Sequence, residues 1–311
     1  MSAGRIVITG AGGQLGGRLT ALATRQGRDV LSLTSSQWDI TDASTAERIV
    51  ERGDTVINCA AYTDVDGAEA DQATAYAVNA AGPGHLARAC ARADARLIHV
   101  STDFVFSGEV FSGEVFSGEF AGRQPRPYEP SDPTDARGVY ARSKLAGEEA
   151  VLAALPDASQ GVVVRTAWVY TGGTGKDFVA VMRRLAGGDG PVNVVDDQTG
   201  SPTYVGDLAA ALLQVVDDRV PGPILHAANE GAVSRFEQAR AIFAECGAEP
   251  DRVRPVGTEQ FPRPAPRPSY SALGGQESAA AGLTPLRPWR AALVAALGDA
   301  ALARPLPSTR D

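Results

Sequence analysis

Five apolar runs of strand length punctuate the first half of the chain: RIVIT at 5–9, DVLSL at 29–33, TVINCA at 55–60, RLIHVS at 96–101 and GVVVRT at 161–166. Between them apolar positions recur at helical spacing, which predicts helices over Gln14 to Gln26, Thr45 to Arg52, Ala80 to Arg92 and Tyr140 to Leu155. The strand runs are continuous rather than alternating, so both faces of the sheet are covered, as in parallel sheets wrapped by helices. The fold class is therefore α/β with a doubly wound parallel sheet. After Thr166 the pattern loosens into more glycine and proline, with a helix at Tyr204 to Val216, a strand at Pro223 to Ala227 and a helix at Ser234 to Cys246. This half reads as a smaller, partly interleaved C-terminal domain, and the final ARPLPSTRD as a frayed tail.

One stretch fits neither period. Residues 105–120, VFSGEVFSGEVFSGEF, repeat VFSGE three times with a period of five. A tandem duplication in a surface loop is one reading, since lengthening a loop costs little. The other is a lid, with Phe106, Phe111, Phe116 and Phe120 covering a ligand or a partner.

Composition narrows the classes. The chain has 311 residues, is 44% hydrophobic and 21% charged, and carries a net charge of −8. That acidity disfavours a nucleic-acid partner. No apolar run approaches a membrane span, and MSAGR leads directly into a strand. Cys59, Cys90 and Cys246 are scattered, and His85, His99 and His226 lack ligand spacing, so neither a disulfide framework nor a metal is expected. The expectation is a cytoplasmic protein.

The sequence ITGAGGQLGG joins the first strand to the first helix and places Gly10, Gly13 and Gly16 at GxxGxxG spacing. Glycines there permit a tight turn and close backbone approach, while the helix N-terminus offers free N–H groups to a pyrophosphate. A Rossmann-type dinucleotide site follows. On that reading residues 1–166 and 203–227 form the dinucleotide-binding domain, and 167–202 and 228–311 the substrate-binding domain. The second strand ends in LTSSQ, without the acidic residue that selects NAD, so Thr34, Ser35 and Ser36 would not repel a 2′-phosphate, although the arginine expected beside one is absent from this stretch. NADPH is favoured and NADH remains open. Asp39 either meets the adenine edge or caps a turn.

GVYARSK at 138–144 places Tyr140 and Lys144 one helical turn apart. Lys144 is one of only two lysines among 29 Lys and Arg residues, which suggests a role that arginine does not fill. An ammonium near a phenol would lower its pKa and make it a usable acid, and it would also hold ribose hydroxyls. At the end of the fourth strand, HVSTDF supplies Thr102 as a hydroxyl donor to a carbonyl oxygen, with Ser101 as its neighbour. Alternation along a strand lets only one of these two face the site.

With GxxGxxG, STD and YxxxK in this order, the chain resembles the extended short-chain dehydrogenase/reductase superfamily. More closely it resembles the dTDP-4-dehydrorhamnose reductase family of sugar-nucleotide 4-ketoreductases, through TGAGGQLG, NCAAYTDVDGAE, AVNA, STDFVF, YARSK, RTAWVY, DDQTGSPTYVGDLA, HAANEG and RPSYSAL, from about Arg5 to Leu297. The resemblance implies NADPH-dependent reduction of a 4-keto sugar linked to a nucleotide, with Thr102, Tyr140 and Lys144 as the catalytic set. It places Gly10, Gly13, Gln14, Leu15, Gly16, Ser35, Asp39, Ile40, Ala60, Ala61, Tyr62, Tyr140 and Lys144 along the cofactor. Thr63, Val65, Thr102, Asp103, Phe104, Trp168, Gln198 and Arg267 fall to the substrate.

Phe104 stands where the family commonly has tyrosine, and Ala141 where it has glycine, so the particular sugar is left open. A dehydratase would need a further carboxylate after Asp103, which Phe104 does not supply. An epimerase that recycles its hydride, or a binding-only subunit like the regulatory β subunit of methionine adenosyltransferase, stays an alternative. A homodimer is left open too.

Overall fold

The computed structural model describes residues 4–106, 108, 126–173 and 175–302. Its first half runs β1 (Ile6–Thr9), α1 (Gln14–Arg25), β2 (Val30–Leu33), α2 (Ala43–Ile49), β3 (Thr55–Asn58), α3 (Gly67–Ala70), α4 (Gln72–Tyr76), α5 (Gly82–Ala93), β4 (Arg96–Thr102), α6 (Gly138–Ala154) and β5 (Gly161–Thr166). The second half runs β6 (Val169–Tyr170), α7 (Phe178–Ala186), β7 (Val192–Val195), β8 (Thr199–Gly200), β9 (Thr203–Tyr204), α8 (Val205–Asp217), β10 (Ile224–His226), β11 (Val233–Ser234), α9 (Arg235–Glu245), β12 (Val253–Val256), α10 (Gln276–Ala280) and α11 (Trp289–Leu302).

Six parallel strands form one sheet in the order β10-β5-β4-β3-β1-β2. Successive residues of each strand face opposite layers. Ile6, Ile8, Val162 and Val164 pack with Leu19 and Ala23 of α1 and with Leu208, Leu212 and Val215 of α8. Val7, Val56, Leu97 and Val163 pack on the other side with Ala46 of α2, Leu86 and Cys90 of α5 and Val151 of α6. This is why the strands read as unbroken apolar runs. The chain moves outward from β1 to β2 and then returns to β3 on the opposite side of β1, so a crevice opens at the carboxyl ends of β1 and β3, where ligands bind in such sheets.

The looser half holds more structure than its sequence pattern predicts. Its core joins Val179 and Met182 of α7, Ile242 and Phe243 of α9 and Leu293 and Ala296 of α11 around Tyr170 and Tyr204. The helix expected from Ala80 begins at Gly82 and is preceded by α3, α4 and a π-helical turn, Ala77–Ala81. That turn brings Asn79 inward, where its carboxamide accepts from Tyr62 N (2.9 Å) and donates to Tyr62 O (3.1 Å) and Ser143 Oγ (3.0 Å). It thus ties the loop after β3 to α6.

Of the pentapeptide repeat, Phe106 is buried and stacks on Tyr128 at 4.2 Å between ring centroids, so it is a core residue. Phe111, Phe116 and Phe120, with the lid expectation they carry, lie outside the described residues, as does the ARPLPSTRD tail. No helix among the described residues is long and apolar enough to cross a membrane.

Candidate active site

The glycine turn stands at the crevice. Gly10 has φ +65°, and a Cβ there would lie 2.7 Å from Ala60 N; a Cβ at Gly16 would run into the Gly10 carbonyl. Gly13 occupies the N-cap of α1 with no side-chain cap, so the first-turn N–H groups of a 12-residue helix face the crevice unopposed. From here a cleft of about 870 Å³ extends along the carboxyl edge of the sheet. All of Gly10, Gly13, Gln14, Leu15, Gly16, Ser35, Asp39, Ile40, Ala60, Ala61 and Tyr62 border it, as do Thr63, Thr102, Asp103, Tyr140, Lys144 and Trp168.

Two observations fit the cleft to a dinucleotide. The uncapped α1 end offers donors to a pyrophosphate. From that turn the cleft runs past Ser35, Ala60 and Ala61 to Tyr140 and Lys144, the path of an extended ligand. Ser101 and Thr102 both border the cleft, with Thr102 turned to Tyr140 and the Ser101 hydroxyl buried. Asp39 Oδ1 accepts from Thr41 N (2.9 Å) and Thr41 Oγ1 (2.8 Å), so its carboxylate closes a turn while the residue lines the wall.

The reacting end is built by β4 and α6. No side chain caps α6 at Arg137; instead Glu69 of α3 accepts from Val139 N at 2.7 Å. Tyr140 and Lys144 share one face of this helix and look onto β4. Lys144 is 2% exposed and its Nζ donates to Val100 O at 2.7 Å. Burial pushes its pKa down to about 8, against the pull of Glu148 and then Cys59. Thr102 Oγ1 donates to Asp103 Oδ1 (3.1 Å), accepts from Phe104 N (3.2 Å) and shares a hydrogen bond with the Tyr140 hydroxyl.

Here the expectation about the phenol is corrected. Burial pushes the Tyr140 pKa up to about 12, with the Thr102 hydrogen bond lowering it and the Asp103 charge raising it; the Lys144 ammonium, turned to Val100, is not among the groups that act on it. Tyr140 is thus a phenol that keeps its proton, as a donor must. Asp103 is 2% exposed, and burial raises its pKa to about 6 despite hydrogen bonds from Ser271 Oγ (2.5 Å) and Thr102.

The remaining substrate candidates stand around this core. Phe104 sets its ring edge-on to Tyr140 at 5.7 Å. Val65, Phe104, Gln198 and Arg267 do not border the cleft: Gln198 Nε2 donates to Thr258 Oγ1 (2.9 Å), and Arg267 pairs with Asp66 (3.0 Å). Trp168 adopts φ +46°, a left-handed conformation that costs a non-glycine residue of order 1–3 kcal/mol. It is held there by Gly200 on one side and the Arg235 guanidinium 3.5 Å from its ring centroid.

Sequence reasoning missed Arg235 and Ser271. Arg235 opens α9 directly after the N-cap Ser234, within the Ser234–Glu237 capping box, where a cation opposes the helix dipole, and its charge acts on Asp103. An arginine immediately after an N-cap serine was the available signal. Nothing in the local pattern marked Ser271, which arrives from 168 residues away. Among the described residues no three His, Cys, Asp or Glu side chains converge as a metal site.

A parallel doubly wound sheet, a glycine turn at its switch point and a Thr-Tyr-Lys set across β4 and α6 define the class as an extended short-chain oxidoreductase. The model of the RmlD substrate binding domain family matches residues 4–302. A dTDP-4-dehydrorhamnose reductase of Mycobacterium tuberculosis is 70% identical over 99% of this chain and 98% of its own. Among solved structures, a dTDP-4-dehydrorhamnose reductase from Clostridium acetobutylicum is similar at a TM-score of 0.84 and 33% identity, covering 96% of this chain and 99% of that one. Another from Bacillus anthracis, in complex with NADP, also gives 0.84, at 32% identity over 95% and 99%. The chain belongs to the dTDP-4-dehydrorhamnose reductase family.

Proposed function

We propose that this chain reduces the 4-keto group of a dTDP-linked 4-keto-6-deoxysugar at the expense of NADPH. The observation that carries the reading is that Thr102, Tyr140 and Lys144 meet on the wall of the same cleft that starts at the glycine turn. Residues 1–166 and 203–227 serve the dinucleotide, and 167–202 and 228–311 the sugar nucleotide. The residues along the cleft would hold NADPH, which would supply the hydride for carbon 4.

The protein supplies the rest. Thr102 turns its hydroxyl from Asp103 to the substrate carbonyl oxygen and draws electron density toward it. Tyr140 gives its proton to that oxygen as it becomes an alkoxide; even a phenol at about 12 is a much stronger acid than the alcohol it creates, so the transfer runs downhill. Lys144, its ammonium seated on Val100 O, would hold the nicotinamide ribose. Trp168 and Asp103 border the sugar, and the uncapped α1 end would bind the pyrophosphate.

The test is an assay of purified protein with dTDP-4-keto-6-deoxysugars, following NADPH oxidation and reading the product by NMR. One NADPH consumed per 4-hydroxy sugar formed supports the reading. Epimer formation without net oxidation, or cofactor binding with no turnover of any such ketone, would replace it with one of the alternatives.

A further inference from the structure

The proton transfer leaves one buried ionic pair unused. Glu148 lies one helical turn after Lys144 on α6 and is 2% exposed. It accepts three hydrogen bonds from Arg165 of β5, Nη2 to Oε2 at 2.7 Å and Nε to Oε1 at 3.0 Å and Oε2 at 3.2 Å, with Arg165 likewise 2% exposed. A buried ion pair adds little stability over well-packed apolar side chains, so stability alone does not account for one beneath the site ammonium.

We propose that Glu148, fixed by Arg165, is a positioning residue for Lys144: an interior anion that keeps the ammonium charged and directed along Val100 toward the cleft. This rests on the reading of Lys144 as the cation that serves the cofactor ribose.

The surroundings leave that task to Glu148. The titratable and charged groups around the ammonium are Tyr140 and Glu148 from α6, Cys59 after β3, His99 from β4 and Arg165 from β5. Burial pushes the Cys59 thiol up to about 12 and the His99 imidazole well below its usual range, so both are neutral near pH 7. Tyr140 keeps its proton. Glu148 is thus the group that opposes the burial cost of the ammonium, first among those that raise it. The sign is fixed: a cation held near 8 is charged below that pH and lost above it, so removing the anion moves the loss to lower pH.

The chain has two lysines, Lys144 and Lys176, which makes direct observation simple. Protein carrying carbon-13 at lysine Cε, free of cofactor, is titrated by NMR, with K144M assigning the resonances. In the wild type the Lys144 signal is expected to titrate near 8, and in E148Q about one pH unit lower, with Lys176 unmoved. The alkaline limb of turnover is expected to move the same way.

An unmoved Lys144 midpoint in folded E148Q overturns the inference. A moved midpoint with an unmoved turnover limb overturns instead the reading of Lys144 as the required cation. Where E148Q unfolds, the E148Q/R165M double variant removes both buried charges; a downward shift smaller than that of E148Q is expected of it, because the repulsion of Arg165 goes with the attraction of Glu148, and a midpoint that stays near 8 or rises overturns the inference.

Discussion

Tyr140→Phe separates catalysis from folding more cleanly than any other change at the site. It deletes one oxygen and leaves the ring, including its edge contact with Phe104. The lost hydroxyl shares a hydrogen bond with Thr102, and Thr102 is not orphaned by the loss, because it still donates to Asp103 and accepts from Phe104 N. The stability cost is therefore that of one neutral hydrogen bond with no stranded partner, about 0.5–1.5 kcal/mol. Losing the general acid costs about 10²- to 10⁴-fold in turnover, or about 3–5 kcal/mol on the barrier.

Three measurements test this together: steady-state NADPH oxidation with the keto sugar, NADPH affinity by fluorescence titration, and urea unfolding. Turnover is expected to collapse while affinity and unfolding midpoint barely move. Turnover within about threefold of wild type would refute the assignment of the acid. A stability loss as large as the kinetic one would instead make Tyr140 a packing residue. With burial holding the phenol up to about 12, no limb from it is expected in the rate profile around neutrality, and the limb expected near 8 is that of Lys144.

Three further changes probe the surroundings. Gly147→Ala would put a methyl group into the Asn79 carbonyl of the π-helical turn, so α6, which carries Tyr140 and Lys144, must retreat by about 1 Å; a fall in turnover of roughly 10²-fold with a smaller change in NADPH affinity is expected, and wild-type kinetics would show that this close approach does not set the position of the two side chains. Asp103→Asn addresses a carboxyl whose folded-state pKa of about 6 lies above its ordinary 3.8: its stabilisation is present at low pH and is lost as pH rises through 6, so the variant should gain on wild type by about 2–3 kcal/mol between pH 4 and 7 in urea unfolding, and equal gaps at both pH values would contradict the shift. Ser234→Ala removes the α9 capping box and is expected to cost about 1 kcal/mol while loosening Arg235 behind Trp168; an unchanged unfolding midpoint would mean the cap carries no weight.

What the amino-acid order determines here is what depends on neighbours in the chain. Period and turn chemistry are local, so the five strands, the glycine turn at Gly10–Gly16 and the one-turn spacing of Tyr140 and Lys144 were legible directly, and the structure departs from the expected strand ends by no more than two residues. The same holds for the residues that border the cleft, many of which sit at the carboxyl ends of the parallel strands.

Only the tertiary structure decided what depends on burial and on distant segments. Lys144 is one turn from Tyr140 in sequence, yet its ammonium turns to Val100, and the phenol is governed by exclusion of water and by Thr102 and Asp103. The π-helical clasp of Asn79 on Tyr62 and Ser143, the Glu69 cap on α6, the Ser271 bond to Asp103 and the Glu148–Arg165 pair all join positions 17 to 168 residues apart. Desolvation is a property of the packed interior, and no window along the chain contains it.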